Sequence, residues 1–146
     1  MMNRAKPIRI LLIEDNEGDV FLTRKAFKNA KIANEIDVAA DGEIAVDMLR
    51  QKGVHQNLSR PDIILLDINL PKKDGLQVLS EIKADQNLKR IPVVILTSSQ
   101  AEQDIIKTYN LHASSYIIKP INLEKFHQIV SAIEDFWLSV VVLARE

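Results

Sequence analysis

The stretch Pro61–Gly75, "PDIILLDINLPKKDG", joins an apolar run to a carboxylate and a turn, and this combination is the most informative about the fold. The run Ile63–Leu66 shows no alternation of apolar and polar residues, which is typical of a strand buried on both faces of a parallel sheet. Asp67 comes directly after this run, and the residues "LPKKDG" that follow carry the proline and glycine of a turn. The stretch therefore predicts a buried strand that ends in a carboxylate.

The same pattern recurs along the chain, with helical periodicity between the apolar runs. The predicted strands are Ile8–Ile13, Ile36–Ala40, Ile63–Leu66, Val93–Leu96 and Tyr116–Ile118. The predicted helices are Asp19–Ala30, Glu43–Gln51, Leu76–Ala84, Glu102–Tyr109 and a last helix from Leu123 to about Val141. Strands that alternate with helices in this way predict an α/β protein with an open, doubly wound parallel sheet.

The composition limits the classes of function that the chain can have. A length of 146 residues is usual for one domain, so a single domain over 1–146 is expected. The 19 basic and 20 acidic residues nearly cancel, which argues against direct contacts with nucleic acid or with an anionic membrane. There is no cysteine, no signal peptide and no apolar run long enough to cross a bilayer. We therefore expect a cytoplasmic protein whose partner is a protein or a small ligand.

Polar residues follow four of the predicted strands, and a parallel sheet brings such strand ends to one edge. They are Glu14, Asp15, Asp67, Thr97 and Lys119. Carboxylates from adjacent strands repel one another unless a cation lies between them, and Mg²⁺ prefers such oxygen ligands. An aspartate can also act as a nucleophile and form an aspartyl phosphate. Lys119 and Thr97 offer an ammonium group and a hydroxyl to phosphoryl oxygens, so this edge predicts a Mg²⁺ site that handles a phosphoryl group.

These residues resemble the receiver domain of two-component response regulators, and the resemblance covers a core of about residues 7–135. The motifs that carry it are Glu14-Asp15, Asp67 with "LPKKDG", Thr97, and "YIIKP" at Tyr116–Pro120. The resemblance implies a (βα)5 fold of the flavodoxin-like, CheY-like type, with a five-stranded parallel sheet in the order 2-1-3-4-5. The chain departs from the family at Glu14, where aspartate is more frequent, and at Lys73, where an apolar residue is common. It also lacks the usual glycine in "LHASSY" before the last strand.

The resemblance implies roles for the acidic residues. Asp67 would accept a phosphoryl group from the phosphohistidine of a histidine kinase. Asp15 and Asp67 would bind Mg²⁺ directly, together with the main-chain carbonyl of Asn69, and Glu14 would act through a water molecule. The protein would therefore be a phosphoacceptor that catalyses its own phosphotransfer and autodephosphorylation, and not an enzyme that acts on a separate substrate.

The resemblance also implies a switch. Thr97 and Lys119 would hold the phosphoryl oxygens once Asp67 is phosphorylated. Tyr116 occupies the position of the family's switch aromatic, which turns inward when Thr97 moves toward the phosphate. The bond between Lys119 and Pro120 corresponds to one that is cis in the family. Thr97, Tyr116 and Pro120 are therefore the expected switch residues.

The end of the chain carries a narrower similarity and an apolar tail. The stretches "HASSYIIKPINLEKF" at 112–126 and "IEDFWLSVVVLARE" at 133–146 resemble stand-alone regulators that serve cyanobacterial phytochromes, which implies a phytochrome-type kinase. A stripe of apolar residues in the last helix has the spacing to pack on the sheet, and its members are Leu123, Phe126, Val130, Ile133, Trp137 and Val140. The extension 136–146 also has apolar residues off this stripe. We predict that they form a homodimer interface, unless the tail folds back on its own domain. These residues are Phe136, Leu138, Val141, Val142 and Leu143.

Three functions of different classes compete for this sequence. The first is a single-domain response regulator that signals to an unknown protein by direct contact, since no output domain is expected after Glu146. The second is an interaction module that is never phosphorylated, against which the set of Asp67, Thr97 and Lys119 argues. The third is a phosphohydrolase that uses Asp67, but Asn69 lacks the acid that would protonate a leaving group. The first function is the one that the sequence predicts.

Overall fold

The secondary structure comes from a computed structural model that describes residues 7–97, 104, 115–118, 122, 124, 126–128, 130–131 and 133–135. The strands are β1 (Ile8–Ile13), β2 (Asn34–Ala39), β3 (Ile63–Asp67), β4 (Val93–Thr97) and β5 (Ser115–Ile118). The helices are α1 (Glu17–Lys28), α2 (Gly42–Leu49) and α3 (Gly75–Ala84), and a short 3-10 helix at Gly53–His55 follows α2. The described residues from 124 to 135 are also helical, and we call them the C-terminal helix.

The five strands form one parallel sheet in the order β2-β1-β3-β4-β5. This topology confirms the doubly wound sheet and the strand order 2-1-3-4-5. The register aligns the carboxyl ends of the central strands, because Ile13 pairs with Leu66, Asp67 with Leu96, and Thr97 with Ile118. The polar residues that follow these strands therefore meet at one edge of the sheet.

The central strands are buried on both faces, which explains why their sequences do not alternate. On one face Leu11, Ile13, Ile64 and Leu66 pack against α2 and α3. On the other face the alternate residues of β1 and β3 pack against α1 and the C-terminal helix, whose buried residues are Phe126, Val130 and Ile133. Those three residues belong to the stripe predicted to face the sheet. Within the described part of the chain, no helix is both long and apolar enough to span a membrane.

Two predicted boundaries were wrong because of capping and edge effects. α1 begins at Glu17 rather than Asp19, because the Asn16 side chain accepts a hydrogen bond from Asp19 N at 2.9 Å and caps the helix. Gly18 therefore lies in the first turn of α1. β2 begins at Asn34 rather than Ile36, because an edge strand can carry polar residues outside the apolar run.

Other predicted boundaries differ by one or two residues, as helix and strand ends commonly do. α2 ends at Leu49 rather than Gln51, and Gln51 has a φ of 57°, a left-handed conformation that stops a helix. Of the predicted helix Glu102–Tyr109, the structure describes Asp104, which is helical. The remainder of that prediction falls outside the described residues.

Candidate functional site

Three carboxylates meet at the carboxyl edge of the sheet. Glu14 and Asp15 follow β1, and Asp67 is the last residue of the neighbouring strand β3. One carboxylate oxygen from each residue lies within 4.8 Å of the others. Glu14 and Asp67 are only 1% and 3% exposed, whereas Asp15 is exposed. We call these three residues the acidic cluster, which has a buried floor and a side open to solvent.

Backbone hydrogen bonds orient the carboxylates of the acidic cluster. Asn16 N donates to Glu14 Oε2 at 3.3 Å, and Asn69 N donates to Asp67 Oδ1 at 3.0 Å. The second bond closes a turn in which an aspartate side chain accepts from the backbone two residues further on. It places the backbone N–H of Asn69 beside the Asp67 carboxylate.

The loop after β3 returns closely to its own beginning. Gly75 N donates to Ile68 O at 3.0 Å. A Cβ on Gly75 would lie 2.4 Å from Ile68 Cα and 2.6 Å from Asp67 O, so a side chain there would displace the backbone of Asp67. The sequence marks Gly75 as a turn residue, but this contact with the end of β3 depends on the folded path of the loop. Gly75 is thus a residue of the site that sequence reasoning missed.

A second contact that sequence reasoning missed joins Asp41 and Gly42, at the start of α2, to the loop after β3. Asp41 Oδ1 caps α2 by accepting from Ile44 N at 2.8 Å, and its Oδ2 lies 3.7 Å from Lys72 Nζ in the loop after β3. Gly42 approaches the main chain of Lys73 in the same loop. The pair Asp41-Gly42 is recognisable in sequence as a helix start, but that signal does not say what the helix start touches.

Thr97 lies at the same edge as the acidic cluster. It is the last residue of β4, its side chain is fully buried, and it pairs with Ile118 in β5. Tyr116 lies in β5, where its backbone pairs with Ile95. Lys119, Pro120 and the predicted dimer residues lie outside the described residues. Those dimer residues are Phe136, Leu138, Val141, Val142 and Leu143.

The donor set of the acidic cluster suits a hard divalent cation. All the converging atoms are carboxylate oxygens, and Mg²⁺ is usually held by one or two carboxylates together with water and phosphate oxygens. A divalent cation at this point offsets the repulsion among the three charges. The exposed Asp15 leaves one side through which an ion and a phosphoryl group can enter.

The chain is similar in sequence to known response regulators. The family model "Response regulator receiver domain" matches residues 10–131. Response regulator Rcp1 of Synechocystis sp. is 47% identical to this chain over 144 residues, which are 98% of each protein. The probable methanogenesis regulatory protein FilR2 of Methanothrix harundinacea is 40% identical over 94% of this chain and 88% of that protein.

Solved structures agree with this result. The phosphorylated cyanobacterial phytochrome response regulator RcpA has a TM-score of 0.82 and 50% identity, over 92% of this chain and 96% of that one. The Mn²⁺-bound form of response regulator Rcp1 has a TM-score of 0.79 and 47% identity, over 90% and 95%. A metal ion is therefore known in a structure that shares this fold and nearly half of this sequence. The chain belongs to the response regulator receiver domain family, whose acidic pocket binds Mg²⁺.

Proposed function

We propose that this protein accepts a phosphoryl group on Asp67 from a histidine kinase and transmits the signal by contact with another protein. The convergence of Glu14, Asp15 and Asp67 within 4.8 Å carries this proposal. Asp67 is the member that ends a strand and accepts a hydrogen bond from the following turn, so its carboxylate is held in one orientation. A fixed carboxylate beside a cation site is the arrangement that an aspartyl nucleophile needs.

The metal ligands proposed are Asp15, Asp67 and the main-chain carbonyl of Asn69, with Glu14 acting through a water molecule. Bound Mg²⁺ neutralises charge on the carboxylates and on the incoming phosphoryl oxygens. Burial of Glu14 and Asp67 supports their role, because a carboxylate removed from water needs a cation or hydrogen-bond donors. The exposure of Asp15 keeps one side of the site accessible.

The phosphotransfer itself depends mainly on positioning. An Asp67 oxygen attacks the phosphorus of phosphohistidine, a P–O bond forms, and the electron pair of the breaking P–N bond stays on the histidine ring. Asn69 N–H holds the Asp67 carboxylate during the attack. The Thr97 hydroxyl and the Lys119 ammonium group bind the phosphoryl oxygens, on which negative charge is concentrated. Water later attacks the phosphorus of the aspartyl phosphate, the bond from phosphorus to the Asp67 oxygen breaks, and inorganic phosphate leaves, which returns Asp67 to its carboxylate form.

The proposed switch links this chemistry to the surface of the protein. Thr97 is buried at the end of β4, and Tyr116 lies in the adjacent strand β5. Movement of the Thr97 hydroxyl toward a phosphoryl group would leave space that the Tyr116 ring enters. Pro120, whose bond to Lys119 corresponds to one that is cis in the family, is the third proposed switch residue. Phosphorylation would in this way change the surface around β5.

Treatment of the full chain with acetyl phosphate and Mg²⁺ tests the proposal, with intact mass as the readout. We expect one added phosphoryl group, because Asp67 attacks acetyl phosphate and acetate leaves. Asp67→Asn keeps the shape of the side chain but lacks the nucleophile, so it should gain none. A parent protein that gains no mass, or an Asp67→Asn protein that gains as much as the parent, would refute phosphorylation at Asp67.

We further propose that the kinase is of the phytochrome type. The resemblance of the chain to the phytochrome response regulator RcpA supports this choice. We propose Phe21 as a contact with the kinase, because its side chain is 63% exposed in the second turn of α1, which begins just after the acidic cluster. Phe21→Ala should slow phosphotransfer from such a kinase and leave phosphorylation by acetyl phosphate unchanged. The exposed Val54, on the short 3-10 helix, gives a matched control through Val54→Ala.

We also propose one receiver domain with a core at about 7–135 and an apolar extension at 136–146 that pairs two copies of the chain. The support is the set of apolar residues in 136–146 that lie off the stripe predicted to face the sheet. Pairing with the same surface of a second copy, in a twofold dimer, is the commonest way to bury such a surface. Deletion of 136–146 should give a monomer that is still phosphorylated on Asp67. Sedimentation at several concentrations decides the matter, and a parent protein that stays monomeric would mean that the extension has another role.

A further inference from the structure

The loop between β3 and α3 rests on the first turn of α2. We call residues 68–74 the acceptor loop because they follow Asp67 directly. A Cβ built on Gly42 would lie 1.8 Å from the carbonyl oxygen of Lys73 and 2.8 Å from its carbonyl carbon, distances that real side-chain carbons essentially never show. The third near atom is Val78 Cγ2 at 2.8 Å, but the two atoms of Lys73 belong to the backbone, so they cannot move aside as the end of a flexible side chain can. Gly42 is therefore required for this approach of helix and loop.

Ion pairs flank the contact between Gly42 and Lys73. Lys72 Nζ lies 3.7 Å from Asp41 Oδ2 at the start of α2, and Lys73 Nζ lies 2.7 Å from Glu81 Oε2 on α3. The Asp41 carboxylate is only 9% exposed, whereas the Lys72 side chain is 65% exposed. Such partly exposed pairs contribute little to overall stability, but they restrict where the loop can lie.

The backbone of the acceptor loop is constrained at both ends. At its start, Asn69 N donates to Asp67 Oδ1, and at its end Gly75 N donates to Ile68 O. Between them Lys72 has a φ of 63°, a left-handed conformation that is uncommon for a residue with a side chain. Such a conformation persists where surrounding contacts determine it, and α2 supplies those contacts for Lys72 and Lys73.

We propose that the first turn of α2 is a platform that positions the acceptor loop for Mg²⁺ binding and phosphorylation. Asp41 and Gly42 are then positioning residues, since they act through Lys72 and Lys73 and not on the ion or the phosphoryl group. The proposal rests on the function proposed above, because the acceptor loop matters through Asn69, whose main chain holds Asp67 and would ligate Mg²⁺. A small displacement of that loop changes the orientation of Asp67 and the position of the Asn69 carbonyl, since metal sites depend on the groups that hold their ligands.

A purely structural role for Gly42 makes a different prediction. If the close approach only allows tight packing, a substitution lowers stability and leaves Mg²⁺ affinity intact in the folded protein. Gly53 provides the control, because it has a φ of +56° and a Cβ added there would meet no atom of another part of the chain within 4 Å. Gly53→Ala therefore strains the backbone without touching the acceptor loop.

The test measures Mg²⁺ affinity of the full chain by calorimetric titration, without any phosphoryl donor, and stability by urea unfolding. We expect Gly42→Ala to weaken Mg²⁺ binding by roughly tenfold or more, the loss typical when a group behind a metal ligand is changed. Gly53→Ala should lose stability and keep the Mg²⁺ affinity of the parent. A folded Gly42→Ala protein with the affinity of the parent overturns the proposal, as do equal losses of affinity in both variants.

Lys72→Ala gives a second test that does not depend on whether Gly42→Ala folds. Electrostatics alone predicts tighter Mg²⁺ binding, because a positive charge near the site is removed. The platform predicts weaker binding, because the link from the acceptor loop to Asp41 is lost. Tighter binding in Lys72→Ala, or no change, therefore contradicts the proposal. A parent that binds Mg²⁺ but gains no mass from acetyl phosphate refutes the proposed function, while these affinities still decide the role of the platform.

Discussion

The two ends of the sheet both gather carboxylates, but the carboxylates are arranged differently. At the amino end of β1, Arg9 donates from its guanidinium to Glu35 Oε2 at 2.5 Å and lies 3.9 Å from Asp37 Oδ2. Its backbone N–H donates to Asp62 Oδ2 at 2.8 Å. Arg9 therefore supplies a cation and a backbone hydrogen-bond donor to the acidic residues around it.

At the carboxyl end, the oxygens of Glu14, Asp15 and Asp67 instead lie within 4.8 Å of one another, and two of these residues are buried. Bringing like charges together costs free energy, which a divalent cation offsets. The number of acidic residues at one end of the sheet therefore does not by itself mark a site. A site is marked where carboxylates from different strands converge on one point and part of that point is buried.

Mg²⁺ affinity is the property for which substitutions in the acidic cluster and around Arg9 are expected to differ most. Asp15→Ala removes one of the few direct ligands, so Mg²⁺ affinity should fall by more than roughly tenfold, the loss seen even for groups behind a ligand. Asp37→Ala removes a carboxylate on the edge strand β2, 3.9 Å from the Arg9 guanidinium, and should leave the affinity unchanged. Calorimetric titration with Mg²⁺ measures both, and equal titration curves for the two variants would show that the acidic cluster is not the metal site.

A smaller effect of opposite sign is expected for stability in the absence of divalent cations. Asp67→Asn removes one of three converging charges and keeps an oxygen that can accept from Asn69 N, so in a chelator it should stabilise the fold by roughly 0.5–2 kcal/mol. Asp37→Asn removes a charge that faces Arg9, so this variant should not be more stable than the parent. Urea unfolding in chelator gives both values.

The same measurement in Mg²⁺ should reduce or reverse the difference in stability between the two proteins. At a Mg²⁺ concentration of 100 times the dissociation constant, binding stabilises the parent by about 2.7 kcal/mol, and a variant with a weakened site gains less. The gain of Asp67→Asn in chelator should therefore shrink or change sign. An Asp67→Asn protein that is less stable than the parent in chelator would mean that the fold already compensates the charges of the acidic cluster.

The strand ends could be predicted from sequence because buried parallel strands have a simple signature. β1, β3 and β4 are apolar runs, and the register of a parallel sheet brings their carboxyl ends together. The meeting of Glu14, Asp15 and Asp67 follows from that rule alone. β2 was predicted less well, because the polar residues at the start of an edge strand do not fit an apolar run.

The contacts of the acceptor loop could not be predicted in the same way. A glycine after an aspartate indicates a turn or a helix start, and Gly42 and Gly75 both follow one. What excludes a side chain at Gly42 is the carbonyl of Lys73, and at Gly75 it is the backbone of Asp67 and Ile68. These approaches depend on how α2, α3 and the loop pack in space, which no local sequence pattern encodes.

The smallest expected effect concerns Arg9 and Glu35, which pair across β1 and β2. The side chains are 30% and 52% exposed, so water screens their attraction, and Glu35→Gln should cost about 0–1 kcal/mol. Any loss should largely disappear in about 1 M salt, where the screening length falls to about 3 Å. Urea unfolding at low and high salt measures this loss of stability, and Mg²⁺ titration of the same variant should match the parent.

A loss above roughly 1 kcal/mol that resists salt would show that the pair of Arg9 and Glu35 is a structural element of the sheet rather than local compensation of charge. A change in Mg²⁺ affinity would mean that the two ends are coupled through β1, because Glu35 lies at the end of the sheet opposite to the acidic cluster.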